Sequence, residues 1–337
     1  MLSLHKFLQK TPKCSPFLRA LCTASSSVAR KPPETLSMAR YDHLINSAGR
    51  SGDFDGVKRL LEKRGKDGLF NTNYTFKFVT HDISMLDELL VALSRINQRF
   101  ARKSAHDCLV ARLSKLRHMP QALRVAEIVV RNGYGSDAIT FHPILKEHIK
   151  RGDFEEAWRV VEVMKDLNVR PDLTAYNYFL TGHCCAGDLD TAAGILTKLE
   201  EEKLGSDTRT YDALVLGACR AARIDVALKV LRRMDEEGMP PLYSTHAHVI
   251  GSMVRLGFHA QALEFVKVYA GRDAKLDYEN FGTLAMKLIR GRRYEYVKVV
   301  LKEMKERGIE MGDKLKEFCD WDAIAELPEH DATGPLQ

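Results

Sequence analysis

The sequence predicts an all-α fold, a solenoid built from helix pairs that recur every 35 residues. Three columns of residues at this spacing support the prediction. The first column is aromatic or imidazole: His106, Phe141, Tyr176, Tyr211, His246 and Phe281. The second follows eleven residues later and is rich in glycine: Arg117, Gly152, Gly187, Ala222, Gly257 and Arg292. The third, five residues further on, is small: Ala122, Ala157, Ala192, Ala227, Ala262 and Val297. A period of this length is typical of a solenoid.

Within one period, the spacing of apolar residues predicts two helices. In residues 173–207, one helical face carries Tyr176, Phe179, Leu180, His183 and Cys184. Gly187 is expected to end this helix in a left-handed conformation, and Asp188 to cap the second helix. The Gly-Asp pair recurs at Gly52-Asp53 and Gly152-Asp153. Pro171, Pro240 and Pro241 fall in the turns between periods, where a missing N–H costs nothing.

The columns divide the chain into consecutive units. We expect repeats at 38–72, 103–137, 138–172, 173–207, 208–242, 243–277 and 278–312, of which 103–137 is weak. Tyr41 and His106 are 65 residues apart, so residues 73–102 are expected to form a shortened, degenerate unit. We expect one long amphipathic helix there, with an apolar face of Leu86, Leu89, Leu90, Leu93, Ile96 and Phe100. Residues 313–337 are expected to be a capping helix and tail, with Leu315, Phe318, Trp321 and Ile324 turned inward.

The unit AITFHPILKEHIKRGDFEEAWRVVEVMKDLNVRPD, Ala138–Asp172, and the two units after it resemble the pentatricopeptide repeat family. The resemblance rests on the aromatic near the start, Gly-Asp at the inner turn and Pro-Asp at the end. The tetratricopeptide repeat has 34 residues and a Trp-x-x-Leu-Gly-x-x-Tyr pattern that is absent here. The resemblance implies a P-type plant organellar protein whose fold is a right-handed α-solenoid superhelix.

Residues 1–33 have a composition of their own. They are basic, rich in serine and free of acidic residues, which is typical of an organellar transit peptide. Their arginines and early basic residues favour the mitochondrion, and hence its matrix, over a plastid. No apolar run is long enough for a membrane span.

The net charge of +6 is confined to residues 1–40, and the rest of the chain has equal numbers of basic and acidic residues. Bulk charge therefore does not argue for nucleic acid.

Cys184 and Cys219 share one repeat position, as expected of core thiols in a reducing compartment. His183, Cys184 and Cys185 are adjacent, and on a helix such side chains diverge by about 100°, so we expect no metal site there.

The resemblance implies that RNA is read one base per repeat, by the residue after the aromatic and the last residue of the unit. Asn177 with Asp207 matches a pairing that the family uses for uridine. The other units give His142 with Asp172, Asp212 with Leu242, Ala247 with Asp277, Gly282 with Gly312 and Asp107 with Asp137. These five depart from the usual pairings, since Leu242 and Gly312 offer no hydrogen bond and two aspartates offer only acceptors. A long sequence-specific footprint is therefore not expected.

A basic column stands nine residues after each aromatic: Arg50, Lys115, Lys150, Arg220, Arg255 and Arg290, with Cys185 as the exception. The resemblance places this column at the end of the first helix, on the concave surface, where it would follow RNA phosphates without reading sequence. Cations are also favoured at any helix C-terminus, so complementation of the helix dipole is an equal explanation.

Motifs for catalysis are absent from the sequence. There is no His-x-Glu with a later Pro-Cys-x-x-Cys, no phosphate-binding loop and no Gly-x-Ser-x-Gly. The acidic cluster Asp320, Asp322, Glu326 and Glu329 is expected to be a solvated helix face. We expect no enzyme, cofactor, metal or small-molecule substrate. Two hypotheses remain: a mitochondrial adaptor that binds single-stranded RNA, or a scaffold on the mitochondrial ribosome or another protein complex.

Overall fold

A computed structural model of the protein describes residues 36–318, which are helical and contain no strand. Contacts divide the chain into two compact units, and their described parts are residues 36–182 and 183–318. The predicted transit peptide and residues 319–337 of the predicted capping segment lie outside the described residues. None of the helices in residues 36–318 is long and apolar enough to cross a membrane.

The first compact unit contains seven helices and the start of an eighth. They are α1 (Met38–Arg50), α2 (Phe54–Lys66), α3 (Leu86–Ser94), α4 (Arg99–Lys115), α5 (Met119–Arg131), α6 (His142–Lys150), α7 (Phe154–Asp166) and α8 (Leu173–Ala186). A short 3₁₀ turn, Ala138–Phe141, leads into α6. The boundary between the units falls within α8.

The second compact unit continues the alternation of first and second helices. It contains α9 (Leu189–Glu201), α10 (Thr208–Arg220), α11 (Ile224–Glu236), α12 (Tyr243–Arg255), α13 (His259–Tyr269), α14 (Ala274–Arg290), α15 (Tyr294–Glu306) and α16 (Asp313–Lys316). Within this unit α10 packs against α11, α12 against α13, and α14 against α15. The first helices α10, α12 and α14 also pack on one another in sequence.

The predicted aromatic column forms the centre of the core. Tyr41, His106, Phe141, Tyr176, Tyr211, His246 and Phe281 are all buried. Tyr211 donates from its hydroxyl to Glu237 Oε2 at 2.9 Å, and Tyr41 donates to Asp67 at the equivalent place. Burial, reinforced by these carboxylates, raises the pKa of both phenols to about 12. Each tyrosine thus ties the start of its first helix to the end of its second.

The inner turns have one backbone conformation whether or not they contain glycine. Gly152 has φ +80°, and Ala222, at the same repeat position, has φ +58°. A second left-handed column, which the sequence reasoning missed, closes the outer turns: Gly68, Gly133, Asn168, Lys203, Gly238 and Gly308. An L-residue with a side chain is strained in this conformation.

The predicted aspartate caps are correct in two of three places. Asp188 Oδ1 accepts from the Thr191 N–H at 3.1 Å, and Asp53 Oδ1 accepts from the Gly56 N–H at 2.7 Å. Asp153 makes no such bond. Its Oδ2 instead faces Arg151 Nε at 3.4 Å and lies 3.8 Å from His148 Nδ1.

The prediction of a single long helix within 73–102 is wrong. Helix α3 ends at Ser94, and α4 begins at Arg99, so Phe100 belongs to α4 and is 67% exposed. The chain turns between them, with Ile96 buried and the Asn97 N–H donating to Glu62 Oε1 at 2.9 Å. This tertiary bond, which periodicity cannot show, fixes the break and lowers the pKa of Glu62.

A turn segment before α3, residues 69–85, stands where a first helix would lie. Phe76 follows Tyr41 by 35 residues and is 2% exposed, so it belongs to the aromatic column. The Phe78 N–H donates to Asn46 Oδ1 at 2.6 Å, and Arg112 Nε donates to the Val79 carbonyl at 2.9 Å. The degenerate unit therefore keeps its buried ring while it loses its first helix.

The predicted capping segment is only partly described. Leu315 is buried, as expected, in the single turn α16. Phe318 is 56% exposed, which contradicts its predicted inward orientation, because it lies beyond the end of α16.

Gly152→Ala should destabilise the protein by about 1 kcal/mol, since nothing lies within 4 Å of the added Cβ and only the positive φ opposes it. Ala222→Gly should stabilise it by up to about 1 kcal/mol for the same reason. The control is Gly194→Ala inside α9, where open space and helical backbone predict a gain of about 1 kcal/mol. Denaturation midpoints measure all three, and equal signs for Gly152→Ala and Gly194→Ala would contradict the assignment.

His246 should make stability depend on pH. Its Nδ1 accepts from Asn280 Nδ2 at 2.9 Å, and its buried Nε2 has no partner. Burial lowers the pKa of His246 to about 4, so the unfolded chain takes up a proton first as the pH falls. The stability present above pH ~6.5 should decrease toward pH ~4, by about 3 kcal/mol at most. His246→Phe, the residue that Phe281 supplies in the next unit, should flatten this dependence in denaturation curves; an unchanged slope would count against it.

Candidate nucleic-acid interface

Outside the degenerate unit, the residue after each buried ring lies on a first helix, and in three units it is an aspartate bound by the next unit. Thr140 Oγ1 donates to Asp107 Oδ1 at 2.7 Å, 33 residues earlier. The same bond joins Thr245 to Asp212 at 2.7 Å and Thr75 to Asp42 at 2.9 Å. We call this contact the Thr–Asp bridge. Its sequence signal is a threonine directly before the ring, a signal that the sequence reasoning did not use.

Asp107 and Asp137 do not repel each other, because a lysine lies between them. Lys103 Nζ is 2.7 Å from Asp107 Oδ2 and 3.1 Å from Asp137 Oδ1. Burial alone would lower the pKa of Lys103, but the two carboxylates outweigh it and raise the pKa. Since Thr140 holds the other oxygen of Asp107, neither of its oxygens is left without a partner.

His142 and Asp172, the base-reading candidates of one unit, lie in contact with each other. His142 Nε2 and Asp172 Oδ1 are 2.9 Å apart. The same carboxylate oxygen accepts from the Ala175 N–H at 2.9 Å, which makes Asp172 the cap of α8. The edge of the His142 ring meets Tyr178, with 5.7 Å between ring centroids. The imidazole, half-buried, presents a polar edge whose orientation Asp172 fixes.

Asn177 and Asp207 fall in different compact units. Asn177 is 3% exposed within α8. Asp207 caps α10, where its Oδ1 accepts from the Thr210 N–H at 2.9 Å and from the Thr210 hydroxyl at 3.0 Å.

In the second compact unit, Asp212 is the candidate best placed to accept a hydrogen bond. Its Oδ1 accepts from Ser244 and Thr245, at 3.1 and 2.7 Å, whereas its Oδ2 has no partner among the described residues. Ala247 is half-buried and offers no polar side-chain atom. Asn280, which occupies the bridging position in the following unit, therefore bonds to the His246 ring instead.

The structure contradicts the base-reading assignment of Asp277. Helix α14 begins at Ala274, four residues before the expected start of that unit, so Asp277 lies in its first turn. The side chain is 8% exposed, and Oδ2 accepts from the Gly271 N–H at 2.9 Å. Asp273 rather than Asp277 caps the helix, by accepting from the Leu276 N–H at 2.7 Å. A carboxylate buried in this turn is not available to a base.

The basic column stands at the ends of first helices, and all six members are exposed. Within residues 36–318, five of them have neither a hydrogen-bond partner nor a carboxylate within 4 Å; these are Arg50, Lys115, Lys150, Arg220 and Arg290. Arg255 differs, because its Nη2 donates to the Cys219 carbonyl at 2.8 Å and to Ser252 Oγ at 3.2 Å. The helix-end explanation thus holds for Arg255, whose guanidinium caps the C-terminus of α10.

The adjacent His183, Cys184 and Cys185 do not converge on a common point. Cys184 is buried, and burial raises the pKa of its thiol to about 12, whereas Cys185 is exposed. His183 Nδ1 lies 3.0 Å from Asp188 Oδ2. In residues 36–318 no three metal-ligating side chains are grouped suitably for an ion. The acidic cluster after Phe318 lies outside the described part of the chain.

Comparison with known proteins agrees with the helix-pair repeat. Models described as the PPR repeat family and the PPR repeat match residues 136–185, and 174–204 with 209–239, respectively. A pentatricopeptide repeat-containing protein of Arabidopsis thaliana is 56% identical over 319 residues, covering 94% of this chain and 91% of the relative. The chain belongs to the pentatricopeptide repeat family. A second Arabidopsis family member is 45% identical over 328 residues, covering 94% and 93%.

Both relatives are named as mitochondrial, which confirms the localisation predicted from residues 1–33. Among solved structures, the maize pentatricopeptide repeat protein PPR10 matches with 18% identity and a TM-score of 0.49, over 82% of this chain and 44% of that one. PPR10 in complex with an 18-nt psaJ RNA element matches with 17% identity and a TM-score of 0.45, over 80% and 39%. The chain thus spans less than half the length of PPR10.

Thr245→Val should destabilise the second compact unit by about 2 kcal/mol. The buried hydroxyl donates to Asp212 and accepts from the Leu242 N–H at 3.1 Å, and the isosteric valine leaves both groups without a partner. Thr245→Ser retains the hydroxyl and should lose less than half as much. Chemical denaturation distinguishes the two variants, and equal losses would mean that the methyl group, not the Thr–Asp bridge, is what matters.

Proposed function

We propose that this pentatricopeptide repeat protein binds single-stranded RNA in the mitochondrial matrix and acts without catalysis on RNA processing, stability or translation. The observation that carries the proposal is the set of exposed cations without partners at the ends of first helices: Arg50, Lys115 and Lys150 in one compact unit, Arg220 and Arg290 in the other. In a chain that is neutral beyond residue 40, these cations have no ion-pair partner among the described residues and recur at the same position of their helix pairs. A row of this kind suits the phosphates of an extended strand.

The base-reading positions support only limited sequence selectivity. Lys103 and Thr140 occupy the oxygens of Asp107, and Asp277 is buried. Asn177, the proposed partner of Asp207, is 3% exposed, so His142 with Asp172 and the free Oδ2 of Asp212 are the more accessible base-reading candidates. Backbone contacts therefore supply most of the affinity in this proposal, and a few positions bias the choice of base.

The second candidate function is a scaffold on the mitochondrial ribosome or another complex. The Thr–Asp bridges favour it, because carboxylates at base-reading positions that serve the stacking of repeats have less capacity to select a base. A scaffold would hold structured ribosomal RNA, or protein, through shape and phosphate contacts. Co-sedimentation with a ribosomal subunit at high salt would favour this function, whereas crosslinking in organelles to one short uridine-containing site would favour sequence-selective binding.

The double variant Arg220→Gln, Arg290→Gln should bind a single-stranded RNA oligonucleotide at least about tenfold more weakly than the wild type. The slope of log affinity against log salt should become shallower by about 1.4, because two phosphate contacts are lost. Filter binding or fluorescence anisotropy over a salt series measures both quantities.

The matched control removes two positive charges from exposed positions on second helices, Arg232→Gln with Lys305→Gln. It should change affinity and slope little, since these residues lie outside the basic column. If the control weakened binding as much as the test variant, diffuse charge rather than the column would be responsible.

A further inference from the structure

Two cationic side chains and one imidazole lie on neighbouring first helices of the second compact unit. Arg220 ends α10, His248 lies in α12, and Lys287 lies in α14, and these three helices pack on one another in this order. Burial lowers the pKa of His248, and the nearby charges of Arg220 and Lys287 lower it further, while Asp212 opposes them. Asp212 Oδ1 is 3.9 Å from His248 Nε2 but is already bound by Ser244 and Thr245. The cluster therefore carries more positive than negative charge.

A glycine makes room for the lysine of this cluster. Gly251 lies on α12 one turn after His248, and a Cβ there would stand 2.9 Å from both Cε and Nζ of Lys287. The equivalent residues of the other units all have side chains: Asn46, Ala111, Lys146, Thr181, Leu216 and Met286. A glycine inside a helix costs about 1 kcal/mol relative to alanine. The space that the missing side chain of Gly251 leaves is thus particular to this unit, and the end of the Lys287 side chain occupies it.

Lys287 has no counter-ion in the described residues. It is half-buried, its Nζ has no hydrogen-bond acceptor there, and no carboxylate oxygen lies within 4 Å. A partly desolvated ammonium is stabilised by an anion that replaces its lost hydration. The ammonium, the guanidinium and a neutral imidazole together present N–H donors, and an anion with several tetrahedrally arranged oxygens can accept from all three.

We propose that Arg220, His248 and Lys287 form a phosphate site that holds one phosphodiester group of a polynucleotide backbone, with Gly251 as the residue that positions Lys287. Only Arg220 belongs to the basic column, so the site goes beyond one cation per repeat. The polynucleotide identity of the ligand rests on the proposed function, whereas the phosphate site does not. It marks the place where the bound strand is held most strongly within the second compact unit.

The first test is RNA binding by three single variants of the full chain. Lys287→Gln removes the charge and should weaken binding to a single-stranded RNA oligonucleotide by about tenfold, with a salt slope shallower by about 0.7. Gly251→Ala keeps every charge, improves helix propensity and displaces only the flexible tip of Lys287, so it should weaken binding without loss of stability. Lys305→Gln, on α15 of the same repeat, is the charge-matched control and should bind like the wild type.

The second test uses inorganic phosphate alone and the imidazole NMR signals of His248. An anion beside the ring should raise the pKa of His248 toward its ordinary value, and therefore shift its titration curve. Lys287→Gln and Gly251→Ala should reduce this shift, whereas Lys305→Gln should not.

The two tests fail in different ways. If the wild type bound no RNA, but phosphate raised the pKa of His248 in a manner that depended on Lys287, the proposed function would be refuted and the phosphate site supported. If RNA bound but Lys287→Gln behaved like Lys305→Gln, the polynucleotide phosphate site would be overturned while RNA binding stood. An absence of both responses would overturn both.

Discussion

The rings of the 35-residue column hold the structure together, because one helix pair is too small to bury its own apolar face. The rings of the column are all buried, and the consecutive first helices α10, α12 and α14 pack on one another. The hydroxyls of Tyr41 and Tyr211 donate to acids at the ends of their second helices and so join the two helices of these pairs. Phe76 shows how strong this requirement is: the degenerate unit has given up a helix but not the buried ring.

The same stacking constrains the candidate interface. The residue after each ring is the proposed place for a base contact, yet in three units it is also bonded by the next unit. In the Thr–Asp bridges the carboxylate accepts a hydrogen bond from a threonine of the next unit: Thr75, Thr140 or Thr245. A position cannot serve both purposes fully, because a carboxylate oxygen already held by a hydroxyl offers less to a base. Stability of the stack and selectivity of the face therefore compete at these residues.

Residues at a fixed spacing were predictable, and residues defined by tertiary contacts were not. The ring column, the alternation of helices and the left-handed inner turns follow from the sequence, since each depends on residues within one period. The break between α3 and α4 depends on a bond from Asn97 to Glu62, and the burial of Asp277 on an early start of α14. The bond from Arg255 to the Cys219 carbonyl, and the clamp of Lys103 on two aspartates, likewise join groups whose proximity no periodicity reveals.

The turn segment at residues 69–85 has a consequence for any strand that follows the basic column. It ends no first helix, and Met85 stands nine residues after Phe76, so the degenerate unit supplies no cation at the basic-column position. A strand contacted once per helix pair would cross this unit with one phosphate unneutralised. As at Cys185, repulsion between the phosphates of the strand would be less compensated there, and the strand would be less constrained by the protein. The missing first helix would thus leave the bound RNA with greater local flexibility where it crosses this unit.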